Sequence, residues 1–224
     1  VLCSTRRRDP IEMGSPRPWP VERPDLDEAS RALLANLGAY EALPASLFGE
    51  RGIQTSTADL VHLRAGADER HRAPLRSGGD IHAFLRRPPS FYANADHFGA
   101  RLRSAAEWSS VTVLVRQTAP YPIAALSDGL GFRNSILAAF EDELHPRAFL
   151  VAYLNAAPVR WLHYFRFRDA RQGMPQVKIG HLRAIPRPVR HDLVPRLAAL
   201  GARLSDAKAG MPPQAQLEID TLVS

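Results

Sequence analysis

Val111-Thr112-Val113-Leu114-Val115, followed shortly by Ile123-Ala124-Ala125-Leu126, decides the fold class. Short β-branched and aliphatic runs bounded by turn residues read as strands. Ser127-Asp128-Gly129 supplies a turn after the second run, Gly129-Leu130-Gly131 reads as a hairpin turn, and residues 132–137 form the next strand. Working outward, strand-like patterning extends over residues 53–136, with Gly49 and Gly52 as punctuation before it. The period changes on the C-terminal side. Pro146 suits a helix start, and Phe149, Leu150, Tyr153 and Leu154 recur at helical spacing. Pro158 begins a second helix or kinks the first, with Trp161, Leu162 and Phe165 on its buried side. Gly173 and Pro175 end that region, and a third helix is expected over residues 192–208, with Leu193, Leu197, Leu200 and Leu204 in one seam. Toward the N-terminus a helix is expected from Asp25, with Asp27 and Glu28 in its first turn and Leu33, Leu34, Leu37 and Tyr40 on one face. Residues 1–24 carry Pro10, Pro16, Pro18, Pro20 and Pro24 and read as an extended arm or linker. The expectation is an α+β protein: mixed strands in the middle, helices at the C-terminal end, and one domain over residues 25–224.

At 224 residues with 45% hydrophobic and 23% charged side chains, the chain can bury a core without covalent staples. Cys3 is the only cysteine, which excludes a disulfide scaffold, a cysteine-rich zinc site and an iron–sulfur cluster. The longest apolar stretch, residues 148–165, is interrupted by Asn155, Pro158 and Arg160, so no bilayer span is expected. The first residues have no apolar run fit for a secretory signal, and a cytoplasmic protein without membrane association is the expectation. Val1 in place of a methionine is the start expected of a piece cut from a longer protein.

The net charge is +6, and only Lys178 and Lys208 are lysines, so 27 of the 29 basic residues are arginine. Arginine's planar fork grips phosphates and guanine edges, although a GC-rich genome would produce the same bias. Residues 160–190 hold eight basic residues against Asp169 alone, and interleave them with Trp161, Tyr164, Phe165 and Phe167. That pattern fits either a phosphate-attracting surface or a solvated helix face beside an aromatic core.

Signals for catalysis are missing. None of the eight histidines forms a zinc-binding helical pair, no phosphate-binding glycine–lysine loop is present, and no Gly-x-Ser-x-Gly elbow occurs. Lys178 has no adjacent carboxylate of the kind a metal-dependent nuclease would need. Glu141-Asp142-Glu143 precedes a helix start, where acids favour the helix dipole. No catalytic residue and no metal ligand is assigned.

An ordered series of stretches resembles the C-terminal specificity domain of TaqI-like adenine-N6 DNA methyltransferases and their fused restriction–modification relatives. Gly49-Glu50-Arg51-Gly52-Ile53-Gln54-Thr55 is similar to the family's opening segment. Pro74-Leu75-Arg76-Ser77-Gly78-Gly79-Asp80-Ile81 resembles its Leu-Arg-Gly-x-Asp-Ile element, with one extra residue between Arg and Asp. Val113-Leu114-Val115-Arg116-Gln117-Thr118, Pro122-Ile123-Ala124-Ala125 and Phe132-Arg133-Asn134-Ser135-Ile136 resemble the central strands. Phe149-Leu150-Val151-Ala152-Tyr153-Leu154-Asn155 is similar to a helix shared with type I specificity subunits. Gln172-Gly173-Met174-Pro175-Gln176-Val177-Lys178-Ile179, Leu182-Arg183-Ala184-Ile185-Pro186 and Glu218-Ile219-Asp220-Thr221-Leu222-Val223 resemble the closing segments. The series covers residues 49–224.

The departures are informative. The Pro-Pro pairs, Arg87-Pro88-Pro89-Ser90 and Met211-Pro212-Pro213-Gln214, lack the leading polar and trailing aromatic residues that hold a flipped adenine in such enzymes. The resemblance therefore implies a sequence reader for double-stranded DNA. Transfer, and binding of S-adenosylmethionine, would belong to a catalytic domain in cis or on a separate subunit; no cofactor is expected in this chain. Base or backbone contacts are expected from Arg116, Gln117, Arg133 and Asn134, which neighbour turns. A phosphate-facing strip is expected from Arg166, Arg168, Arg171, Gln172 and Lys178, with Arg76 a weaker member. Asn134 satisfying a turn, Arg116 pairing with an internal acid, and plain solvation of Arg166 and Arg168 are the structural alternatives. A protein-binding adaptor using the Leu193–Leu204 seam and an undetected nuclease are the alternative functions.

Overall fold

The computed structural model describes residues 26–167, 174–188, 190–207 and 213–223, and it is α+β. Its centre is a four-stranded antiparallel sheet in the order β1 (Phe48–Gly49), β10 (Ile136–Ala139), β7 (Val113–Arg116), β8 (Ala124–Leu126). Val113, Leu114 and Val115 are all fully buried. Side chains alternate between faces along a strand, so a strand covered on both faces reads as a continuous apolar run. Here Val113, Val115, Leu137 and Ala139 point into one core cluster, and Leu114, Ile136 and Ala138 into another.

The second cluster is closed by another sheet, in the order β2 (Leu63–Arg64), β6 (Phe91–Asn94), β3 (His71–Arg76), β9 (Gly131–Phe132). Residues 132–137 are consequently not one strand. Phe132 ends β9, which pairs in parallel with β3, and Ile136 begins β10 opposite Arg116 in the first sheet. Arg133-Asn134-Ser135 is the crossover between sheets. Gly129 has φ +76° and makes the sharp turn, but it joins strands of different sheets and is no hairpin. A two-stranded ribbon, β4 (Ile81–His82) with β5 (Leu85–Arg86), sits beside them, as do the short helices α2 (Ala95–Phe98) and α3 (Ala105–Ser109).

The other face of the central sheet is covered by helices. Helix α4 (Arg147–Asn155) buries everything from Phe149 onward. Glu141 accepts from the Arg147 N–H and Asp142 from the His145 N–H, so the acid run caps the approach to α4. Extended backbone at Ala156 ends α4, and α5 (Ala157–Phe167) restarts with Pro158 in its first turn. In α5 Leu162, Val159 and His163 are buried, whereas Trp161 and Phe165 are only partly covered. After α6 (Ile179–Leu182), helix α7 (Val194–Asp206) packs on α4 through Gly201, where a Cβ would lie 2.0 Å from the Ala148 carbonyl oxygen. Helix α8 (Pro213–Val223) completes the layer.

Two expectations change. Leu193, Leu197, Leu200 and Leu204 are 8%, 1%, 5% and 5% exposed, so the seam belongs to this protein's own core and offers nothing to a partner helix. The adaptor reading based on it is withdrawn. Helix α1 (Glu28–Leu37) starts after Asp27, which accepts from the Ser30 N–H, and none of its residues is buried; Leu33 and Tyr40 are half-exposed. The arm at 1–24 and the helix start at Asp25 lie outside the described residues. Among the described residues, no helix is long and apolar enough to cross a membrane.

Candidate nucleic-acid interface

One end of the central sheet gathers four of the expected contact residues. Arg116 closes β7, and antiparallel pairing sets it opposite Ile136, the first residue of β10. Gln117 and the crossover are joined next to that pair, the Gln117 N–H donating to the Ser135 carbonyl at 2.9 Å. A third segment, residues 52–55, lies alongside: Ile53 donates to the Phe132 carbonyl at 2.9 Å and accepts from the Asn134 N–H at 3.0 Å. This approach requires Gly52, because a Cβ there would fall 2.5 Å from the Arg133 carbonyl oxygen.

The side chains at this end divide into two kinds. Arg133 turns inward, donating through Nε and a terminal nitrogen to Thr55 Oγ1 at 3.0 and 2.8 Å, with its guanidinium 5.2 Å from the Phe91 ring centroid. Burial lowers its pKa, yet a guanidinium keeps its charge. Arg116 Nε donates to the Thr118 carbonyl at 2.9 Å and pairs with no internal acid among the described residues. Gln117 and Asn134, by contrast, line a cleft of about 160 Å³ together with Glu50, Gly52 and Gln54, and Asn134 Nδ2 donates to Gln54 Oε1 at 2.9 Å. Gln54 also borders a second cleft of about 320 Å³ that holds Arg101 and Arg103.

The basic strip is reached through the segment after α5. Gln176 bridges Thr118, and the Val177 N–H donates to the Gln117 carbonyl at 2.8 Å, so Lys178 follows directly on the segment paired to residues 117–118. Lys178 is exposed at the start of α6. Arg166 is exposed near the end of α5, and the next residue, Phe167, stacks on His181 of α6 with centroids 4.8 Å apart. Arg166 and Lys178 thus sit on adjoining elements. Arg168, Arg171 and Gln172 lie outside the described residues.

Arg76 is a correction. It is 3% exposed; its terminal nitrogens donate to Asp128 Oδ1 and Oδ2 at 2.5 and 2.8 Å, and its Nε to the Arg87 carbonyl at 3.0 Å. A guanidinium so enclosed ties β3 to the turn after β8 and presents no face to a phosphate. The same stretch commits Asp80 internally, where it accepts from the Ser77 and Ser90 N–H groups at 2.8 and 3.1 Å.

Sequence reading gave no role to Gln54, Glu50 or Arg103. The available signal was Gly52, since a glycine required by close backbone approach marks where segments meet. A serine–carboxylate–histidine cluster among the described residues is ordered wrongly for nucleophilic catalysis. Ser56 Oγ and His97 Nε2 both contact Asp59, at 2.8 and 2.7 Å, so the imidazole does not reach the hydroxyl. Arg101 and then His97 hold the Asp59 carboxyl far below the usual carboxylate range. Among the described residues no group of His, Cys, Asp and Glu is arranged to hold a metal. Gly129-Leu130-Gly131 runs from strand to strand, so it presents no helix N-terminus to a dinucleotide-like cofactor. The sequence matches no family model and no curated protein.

Proposed function

We propose that this chain is the sequence-reading module of an adenine-N6 DNA methyltransferase or a restriction–modification enzyme. It would bind double-stranded DNA in the cytoplasm and position a target adenine for a catalytic domain in cis or on another subunit. S-adenosylmethionine would bind that catalytic domain. Extruding the adenine costs about a few kcal/mol, and a reader helps by clamping the duplex around it.

The observation that carries the reading is the convergence of Gln117, Asn134 and Gln54 in one cleft at the sheet end, with Arg116 closing the adjacent strand. Amides reading base edges and cations gripping phosphates are the two contact classes a specific reader needs. Arg101 and Arg103 border the adjoining cleft on one side, and Lys178 follows the segment paired to residues 117–118 on the other.

The test is duplex binding by fluorescence anisotropy over a salt series. Lys178→Ala and Arg166→Ala are expected to weaken all duplexes alike and to reduce the slope of log K against log salt by about one each. Gln117→Ala is expected to cost about 1–3 kcal/mol on the preferred sequence and little on random DNA. Wild-type binding that is weak, indifferent to salt and blind to sequence would remove this reading.

A further inference from the structure

Two side-chain amides 80 positions apart meet at the mouth of the polar cleft, where Asn134 Nδ2 donates to Gln54 Oε1 at 2.9 Å. The return bond, from Gln54 Nε2 to Asn134 Oδ1, is not made. Those two atoms have no other protein partner among the described residues. An isolated glutamine can present either end of its amide, but this one has its oxygen committed. Whichever way the bonded amides are turned, one oxygen and one nitrogen remain outward, so the pair displays an acceptor beside a donor, here the acceptor on Asn134 and the donor on Gln54. The backbones beneath are also pinned, by Asn134 N–H to the Ile53 carbonyl at 3.0 Å and Ile53 N–H to the Phe132 carbonyl at 2.9 Å.

The surroundings narrow the ligand. The cleft is lined by Glu50, Gln54, Gln117 and Asn134 and by no cation. A carboxylate beside amides repels phosphate and accepts from amino groups, which are a feature of base edges.

We infer that the Gln54–Asn134 pair reads one adenine in the major groove, a base that stays in the stack and is distinct from the one extruded for chemistry. This rests on the DNA-reading function proposed above. Of the four bases, adenine alone offers the major groove both a donor, N6, and an acceptor, N7. Asn134 Oδ1 takes the N6 hydrogen and Gln54 Nε2 donates to N7. Guanine sets its O6 acceptor against Asn134 Oδ1, leaving both oxygens unpaired. Cytosine leaves the Gln54 donor idle, and thymine sets no donor against Asn134. The rejection comes from unpaired polar groups as much as from the fit to adenine.

The experiment is selection of preferred sequences from a randomised duplex pool by the full chain and by Gln54→Glu and Asn134→Asp. Gln54→Glu replaces the outward donor with an acceptor, and Asn134→Asp removes the Nδ2 donor that holds the two amides in order. The wild type is expected to select an adenine at one position, by about 5- to 150-fold over guanine. Each variant is expected to lose that preference while keeping the wild-type salt slope, which also reports that the variants are folded. A selected sequence that survives both substitutions unchanged would overturn the inference and leave DNA recognition standing. A wild type that enriches no sequence and binds without salt dependence would overturn the function itself, and the inference with it.

Discussion

The Arg76–Asp128 pair is the sharpest energetic test of this fold. Asp128→Ala removes the carboxylate that accepts two hydrogen bonds from a guanidinium whose side chain is 4% exposed. Breaking a fully buried pair by deleting one partner costs about 3–5 kcal/mol, because the remaining charge is stranded. The Asp128 side chain is 25% exposed, so solvent already shares in its stabilisation, and a loss of about 2–4 kcal/mol is expected. Arg86, 3.2 Å from Asp128, is more exposed and is released into solvent at little cost. Replacing both members, as Arg76→Met with Asp128→Leu, strands no charge and is expected to recover all but about 1–2 kcal/mol, the Arg87 carbonyl having lost its donor. Urea unfolding followed by tryptophan fluorescence reads this directly, since Trp108 packs on Phe132 next to the pair's strand with centroids 4.9 Å apart. Acid provides a second axis. Burial alone would raise the Asp128 pKa, but Arg76 and Arg86 outweigh it and hold the carboxyl below 3.8. The stabilisation is therefore complete above the unfolded value and is lost as pH falls through the lower folded one; the double variant lacks this component. A single variant that loses less than about 1 kcal/mol, or a double variant no better than the single, would refute the stranded-charge argument.

Two further outcomes rest on buried polar groups. Asn155 is fully buried and its side chain extends the edge of β8, accepting from the Ala124 N–H at 3.1 Å and donating to the Ala124 carbonyl at 2.8 Å. Asn155→Ala leaves that N–H unpaired and opens a small cavity, so chemical denaturation is expected to show a loss of about 2–4 kcal/mol. His163 is 1% exposed, and its Nδ1 lies 3.2 Å from the Pro120 carbonyl, which fixes the hydrogen there. Burial, and then the neighbouring His181, push its pKa from 6.5 to about 4. Between those values the unfolded chain takes up a proton that the folded one refuses, so stability falls as pH drops from 6.5 toward about 4 and levels off below. The urea midpoint of His163→Phe, measured across that window, is expected to change less with pH than the wild type's; equal slopes would contradict the assignment.

Elements with one strong local signal could be read from the sequence. The β-branched run at Val113–Arg116 is the central strand because it is apolar on both faces, and α4 and α7 follow helical spacing closely. The split of residues 132–137 between two sheets was hidden. Phe132 and Ile136 are both buried apolar residues, and nothing local says that they face different strands. The apolar face of α1 was legible as a pattern, but its exposure was not, because periodicity does not reveal whether a covering element exists. Within the candidate site, Arg116, Gln117, Arg133 and Asn134 were found by their nearness to turns. Gln54 was not, since its partner stands 80 positions away. Arg76 misled for the same reason: Asp128 lies 52 positions on.

Counting charges along the chain also misplaces the field that DNA would meet. Much of the basic excess of residues 160–190 is consumed by the fold. Arg160 reaches Asn155 Oδ1 at 2.9 Å and lies over Tyr121, and Arg183 donates to the Phe48 carbonyl at 2.9 Å. Arg187 pairs with Glu41 and Arg190 with Asp192, each at 2.7 Å. A cation matched by a carboxylate contributes little to the potential beyond a Debye length of about 8 Å. Of that window, Arg166 near the end of α5 and Lys178 at the start of α6 are exposed on adjoining elements. The sheet end is different in kind: its amides and arginines come from segments brought together by backbone hydrogen bonds, so their spacing is set by the fold and not by flexible side chains. Discrimination between base edges needs that fixed spacing, whereas a phosphate tolerates a mobile cation. Under the proposed DNA-reading function, this division would place selectivity in the cleft around Gln54, Gln117 and Asn134 and nonspecific affinity on the helical edge. Substitutions at the two places should therefore separate cleanly, sequence preference responding to the first and salt dependence to the second.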